Sequence, residues 1–465
     1  MKNLKTFSAF VTVLFLLESC KKDTSSSPPL EFVPAISSFS PGSGPAGTIV
    51  TITGTNFSSI TTDNTVSFNG TPATVTSATS TQIITTVPPG ATTGKITVKV
   101  STKTTTSSGN FTVSVAANQL SIARTFIAAA TLGNKIYFGG GFNGTATVKT
   151  IDIYDASTGS WSTSQLSVAR ENMAAAAAGH KIVFAGGQTN NDYASSFFSS
   201  AVDIYDDVTG LWSTASLSNP QTYINAGAAG NKILFGGGLS APISETVDIY
   251  DVSANTWSTH RLPTAKIWAP IAGAGTKILI AGGVNVNSTS NTDEYYKTVD
   301  IYDVNTNSWT QAELSEARDN MGVVSIGNKI IFAGGNTKDT SYNFVPSKTV
   351  DIYDVTTNTW TTTQMSEAVV YSRLYATFAS SGNKIFLTRG MDIHPDGSGE
   401  ISDRVEIYDI STNTWTMSHL SAARANAAAG SASNKILFAG GFNGNTIGPF
   451  TTVDIYDVLN GKWTN

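Results

Sequence analysis

The chain of 465 residues contains one cysteine, Cys20, near its N-terminus. A single thiol there excludes an internal disulfide, a thiolate metal cage and a cysteine nucleophile deep in a fold. Charge is scarce too: 13% of residues are charged and the formal net charge is −5, so bulk attraction to nucleic acid is not expected. The four histidines, His180, His260, His394 and His419, fall at unrelated places and offer no shared metal set. No apolar run is long enough to cross a bilayer. No glycine pair is followed by Lys-Ser or Lys-Thr, as a phosphate loop requires. The chain is rich instead in Ser, Thr, Asn and Gly, a composition suited to a β-rich protein with many turns.

The N-terminus gives the cysteine a purpose. "MKNLK" is a basic n-region, and "TFSAFVTVLFLL" is an apolar run of 12 residues, long enough for a signal-peptide core. "LESC" resembles the lipobox of bacterial lipoproteins, with Leu17 and Ser19 in place and Glu18 less usual. That resemblance implies a signal peptide over 1–19, cleavage before Cys20 and acylation of Cys20. Several acyl chains hold a protein on a membrane where one chain does not. Lys21 after the cysteine is compatible with passage to the bacterial outer membrane. "KKDTSSSPPLEF" reads as a flexible tether, placed at 20–32.

Residues 33–114 alternate β-branched or apolar residues with polar ones in "VTITG", "TVSFNG" and "KITVKV", separated by turn clusters. This is the pattern of a small antiparallel sandwich. The stretch "PAISSFSPGSGPAGTIVTITGTNF" resembles the IPT/TIG family, which implies an immunoglobulin-like domain with a spacer role. No catalytic constellation stands out in it.

From 118 to 465 the chain repeats. "VDIYD" occurs five times, with "IDIYD" at 151–155 and "VEIYD" at 405–409 as near-copies. The tryptophan after each copy, from Trp161 to Trp463, recurs every 45 to 55 residues. A small-residue run, a Gly-Asn turn, an apolar strand and a glycine pair precede each copy, as in "AGAAGNKILFGGG". The unit resembles the kelch repeat; only the sixth copy, with "LTRG", is degenerate. The resemblance implies a seven-bladed β-propeller, so the expected fold class is all-β, a sandwich followed by a propeller. "VDIYD" is then strand C of each blade. By period two its first Asp and Tyr face one side, and its second Asp ties the C–D turn. The acids of different copies lie on different blades, so the motif reads as a building block rather than a chemical site.

Function is sought where equivalent positions converge on the axis. Ten residues before each A–B turn stand Arg124, Arg170, Gln221, Lys266, Arg318, Arg373 and Arg424. They are expected to ring one mouth of the central channel. Two readings stay open: the arginines tie blades together, or they grip an anionic ligand. Two residues further on stand Phe126, Asn172, Tyr223, Trp268, Asn320, Tyr375 and Asn426. Aromatic faces stack on sugar rings, and amides donate and accept hydrogen bonds. A third ring, from Lys135 to Lys435, follows the A–B turns and reads as solvation of strand ends on the far face.

Some kelch propellers are enzymes, and the residues here bear on two such chemistries. An oxidase built on a Tyr–Cys crosslink is excluded by Cys20, whereas a mutarotase could use Glu171 or Asp319, each of which follows a ring arginine. The resulting expectation is a surface-exposed lipoprotein of the bacterial outer membrane, or a periplasm-facing or secreted one. Its propeller is a non-catalytic binding head for an anionic glycan, or alternatively a protein-binding adhesin or scaffold. A sugar mutarotase or epimerase is a third reading. No cofactor, metal or nucleic-acid partner is expected; the membrane is contacted through Cys20. All four strands of each blade are expected in chain order, with blade 7 meeting blade 1 through side chains alone.

Overall fold

The computed structural model describes residues 33–464 apart from 89–90, 114–117, 193, 287–292, 339–343, 366–375, 394–398 and 445–447. The signal segment, Cys20, the tether, Arg373 and Tyr375 lie outside the described residues.

The first domain is a sandwich of two sheets. One contains Ala35–Ser40, Ile49–Thr55, Gln82–Thr86 and Val75–Ala78, and the other has Lys103–Val113, Gly94–Val100 and Asn64–Phe68 at its centre. Alternation places Val50, Ile52, Phe68, Ile83, Ile96, Val98 and Phe111 in one core. Each such side chain contributes about 1.5–3 kcal/mol by leaving water. Gln165 Nε2 in the propeller donates to Thr92 Oγ1 of this domain at 3.1 Å.

Seven four-stranded antiparallel sheets follow. Blade 1 runs outward through strand A (Ala128–Leu132), B (Lys135–Gly139), C (Thr150–Asp155) and D (Ser160–Gln165). Blades 2 to 7 repeat it, their A strands being Ala174–Ala178, Asn225–Ala229, Ile271–Ala274, Gly322–Ile326, Thr377–Ser381 and Ala428–Ala432. Each A strand contacts the next, and the seventh contacts the first, so the ring is closed. The A strands crowd the axis, which is why they are Ala- and Gly-rich; they line a channel of about 400 Å³.

The hydrophobic cores lie between blades. Ile136, Phe138 and Tyr154 of blade 1 pack against Ala428, Leu437 and Val453 of blade 7. Tyr154 also packs on Trp161 of its own blade, with centroids 5.0 Å apart. The second Asp of each motif ties the C–D turn: Asp354 Oδ1 accepts the Thr356 N–H at 2.9 Å. The glycine pairs make room for the neighbouring link. A Cβ on Gly140 would meet the Arg170 carbonyl at 2.3 Å and the Met173 side chain at 2.5 Å, at a φ of +64°.

The seam differs from expectation. Strand D of blade 7 is short, Lys462–Thr464. It is completed by the residues just before blade 1, because Gln119 bridges Thr452. Leu120 N–H donates to the Thr451 carbonyl at 2.7 Å, and Val453 N–H donates to the Asn118 carbonyl at 2.9 Å. Backbone hydrogen bonds therefore do cross from the start of the propeller to its end. The physical reason is that Lys462–Thr464 pairs only with Ile455, Tyr456 and Asp457, so the edge at 451–453 still offers backbone groups, and residues 118–120 satisfy them.

Candidate functional site

Six of the seven rim residues are described. Phe126, Asn172, Tyr223, Trp268, Asn320 and Asn426 all line one cavity of about 300 Å³ at the axial mouth, where the D–A links turn into strands A. All six sit in the left-handed region, with φ between +50° and +59°. The link must reverse direction there to enter strand A, and Gly or Asn suits that geometry best. Neighbouring rim residues are joined by backbone bonds. Asn172 N–H donates to the Phe126 carbonyl (3.3 Å), Tyr223 to Asn172 (3.1 Å) and Asn320 to Trp268 (3.1 Å). Below the rim the cavity wall includes Ile127, Met173, Ile224 and Met321.

The cations do not stand at this mouth. Arg124, Arg170, Arg318 and Arg424 are at most 1% exposed and Lys266 is 2% exposed. Each faces the first Asp of its own blade's motif: Arg124 with Asp152, Arg170 with Asp203, Lys266 with Asp300, Arg318 with Asp351 and Arg424 with Asp454. They also bond to backbone carbonyls; Arg318 Nη1 donates to Gly334 at 2.7 Å and to Thr349 at 2.8 Å. Burial pulls the Arg124, Arg170, Arg424 and Lys266 side chains below their ordinary pKa values, and the facing carboxylates act against it. The anion-gripping reading of these five is thus corrected. An unpaired charge could not be buried so completely, and the partner it needs is the Asp two positions before the motif tyrosine.

Blades 3 and 6 depart from the pattern. Blade 3 has Gln221 in the cation's slot, so Asp248 keeps only Ser218 N–H and Ser218 Oγ, at 2.9 and 3.0 Å. Burial raises the Asp248 carboxyl. In blade 6 the longer Glu406 pairs with Arg389, the arginine of "LTRG", at 3.2 Å.

The two acids that follow ring arginines are also internal. Glu171 is fully buried, and its Oε1 accepts from Gln188 Nε2 at 2.9 Å while Gln188 Oε1 accepts from Thr222 Oγ1 at 2.9 Å. Burial pushes the Glu171 carboxyl up to about 7, with the Gln188 bond pulling the other way. Asp319 accepts from Asn336 and from rim Asn320. Neither acid lines the cavity. On the far face the lysines do more than solvate strand ends. Lys232, Lys277, Lys329 and Lys384 pair with the second Asp of their own blades at 2.8–2.9 Å, and Lys181 reaches Tyr250 of the next blade at 3.1 Å.

Comparison with known proteins agrees with this architecture. Residues 269–465 match the KLHDC2/KLHL20/DRC7 Kelch-repeats domain, residues 123–164 the Kelch motif and residues 34–115 the IPT/TIG domain. The chain therefore carries an IPT/TIG domain followed by a Kelch-repeat propeller. The solved structure of YjhT is similar over 74% of this chain and 98% of that one, at 15% identity and a TM-score of 0.47. No curated protein matches. A kelch propeller joined to a TIG domain supports a binding or scaffolding role in general.

Proposed function

We propose that the chain is a lipid-anchored surface protein whose propeller is a non-catalytic binding head for an uncharged glycan. One observation carries this reading. Phe126, Tyr223 and Trp268 occupy left-handed positions on the cavity rim, where equivalent blades use Asn. A bulky residue there costs about 1–2 kcal/mol relative to relaxed backbone. Strain kept at a cavity rim, on residues that the fold does not require, points to a ligand.

The rim supplies aromatic faces for the apolar side of a pyranose, and the amide of Asn172 with the side-chain oxygens of Asn320 and Asn426 for its hydroxyls. Because the cations are paired inside the blades, an anionic glycan loses the support it had, and a neutral one is favoured. The inward engagement of Glu171 and Asp319 favours binding over ring-opening chemistry. The lipobox at 17–20 supports attachment through Cys20 and an outer-membrane location. A glycan array probed with the full chain tests the reading. Uncharged oligosaccharides should bind and Trp268→Ala should weaken the signal. Binding only to acidic glycans, or none while a surface protein is captured, would sink it.

A further inference from the structure

Blade 3 lacks the cation of its slot, and the rim beside it is built differently. In blades 1, 2, 4 and 7 the second glycine of the pair donates its N–H to the following link. Gly141 donates to Arg170, Gly187 to Gln221, Gly283 to Arg318 and Gly441 to Arg124, at 2.7–3.0 Å. These glycines have φ between +92° and +107°. In blade 3 the equivalent Gly238 is not in the left-handed region and makes no such bond. Instead the Gly237 carbonyl faces the next link and accepts the Trp268 N–H at 2.8 Å. The Gly237–Gly238 peptide is turned over relative to its counterparts. Trp268 is consequently held by Gly237 and not by the rim carbonyl of Tyr223, whereas the 1–2, 2–3 and 4–5 steps join rim to rim. The seam step from blade 7 to blade 1 also lacks that rim-to-rim bond.

The slot explains the turn. In blades 2, 4 and 5 the cation donates to the strand C carbonyl that also accepts the first glycine's N–H, that of Ala201, Thr298 or Thr349, and so holds strand C against the glycine pair; in blades 1 and 7 it reaches the Phe138 or Phe438 carbonyl of strand B instead. Gln221 makes no such bond, and its Nε2 is buried with no hydrogen-bond partner. In five blades the first glycine's N–H is tied to strand C, for example Gly186 to Ala201 and Gly334 to Thr349. In blade 3 the corresponding bond from Gly237 to Thr246 is not formed. With neither tether, the peptide is free to turn, and Trp268 takes its carbonyl.

We infer that Gln221 is a positioning residue for the ligand site: by omitting the cation that would hold strand C to the glycine pair, it frees the Gly237 carbonyl to take the Trp268 N–H and sets Trp268 at the mouth. The blade gives up a buried ion pair, leaving Asp248 without a cation, and gains a tryptophan held in a geometry that no other described blade provides. This rests on the reading of the rim as a binding site, but its structural half can be tested alone.

The test is 19F NMR of the full chain labelled with 5-fluorotryptophan, with the Trp268 signal assigned by Trp268→Phe. Gln221→Arg should displace that signal, raise the melting temperature through the restored pair with Asp248, and lower binding to a neutral probe such as triacetylchitotriose. Gln221→Met fills the slot without charge and should leave the signal in place. If the arginine variant fails to fold, Gln221→Lys replaces it, because Lys266 already occupies this slot in blade 4 beside an unturned glycine pair. A Trp268 signal unmoved by the cationic variants, or moved equally by methionine, would overturn the inference. A displaced signal in a protein that binds no glycan at all would leave the inference standing and remove the proposed function.

Discussion

Arg124 Nη2 lies 2.7 Å from Asp152 Oδ2, and neither side chain has any exposure to solvent. The pair joins the link that enters blade 1 to strand C of the same blade, two strands away from the axis. Its counterparts in blades 2, 4, 5 and 7 do the same, so the ring of cations is an internal clamp. Each clamp anchors the link that carries a rim residue two positions on. None of these charges lines the mouth cavity.

Breaking one clamp should be costly. Arg124→Met leaves Asp152 buried without a cation and should destabilise the propeller by about 3–5 kcal/mol. Arg124→Met combined with Asp152→Leu should recover most of that loss, since an apolar pair of similar volume can replace a buried ion pair. Denaturant unfolding of the three proteins checks this. Equal loss in the single and double variants would mean that packing, not charge, is what the site supplies.

The fold was legible because every blade repeats the same instructions: small residues for strand A, a glycine pair, "DIYD" and a tryptophan. The rim residues could be found by their constant offset from the cation, although they lie in the left-handed link before strand A and not on the strand where alternation would put them. The cation's role was not, because an arginine looks alike in a sequence whether it faces a ligand or an aspartate. A signal was nonetheless present. The one copy with Glu in place of the first Asp, at Glu406, is also the copy with Arg389 in place of a glycine, and the two are partners. The seam carried its own signal: Leu120 stands where Leu166, Leu217, Leu262, Leu314, Met365 and Leu420 stand in the links between blades.

Glu171 should make stability depend on pH. Its carboxyl is raised from 4.5 to about 7 by burial. The folded state thus holds a proton that the unfolded state has released between those values. The stabilisation is complete below pH 4.5, is lost as pH rises towards 7, and is absent above that. The full swing is about 3 kcal/mol. Glu171→Gln should flatten this part of the profile and be the more stable protein at pH 8. Melting curves from pH 4 to 8 decide it; parallel profiles for the two proteins would place Glu171 outside the linkage.

The rim aromatics should behave as residues kept at the expense of stability. Tyr223→Asn relieves about 1 kcal/mol of left-handed backbone strain and should not lower the melting temperature, yet it should weaken glycan binding. Trp268→Ala should cost roughly 2- to 12-fold in affinity if one stacking contact is lost. Neutralising Lys329 and Lys384 on the far face should leave binding unchanged. Calorimetric titration reads all three, and loss of binding in the far-face variant would place the ligand at the other mouth.

Attachment should depend on one atom, the sulfur of Cys20. Cys20→Ala is expected to release the protein from the membrane fraction, because the resemblance of "LESC" to a lipobox makes this cysteine the acylated residue. A mutant that still sediments with the outer membrane would locate the anchor elsewhere in the chain.

The closing strand of blade 7 is made of two pieces, Lys462–Thr464 and the residues around Gln119, and only the second is attached to the first domain. Cutting the chain before residue 118 keeps the bonds from Leu120 to Thr451 and from Val453 to Asn118, whereas cutting it before residue 121 removes both. It also removes Leu120, which is 3% exposed and packs in the core between blades 7 and 1. Two hydrogen bonds and one leucine together are worth about 3–5 kcal/mol. The shorter protein should therefore melt at a lower temperature, and its Val453 amide, freed from the Asn118 carbonyl, should exchange fastest of all the strand C amides. Both proteins lack the first domain, so its contact through Thr92 cannot account for a difference between them. If the two melt alike and exchange alike, the ring is held shut by side chains across the seam, and the composite strand is incidental.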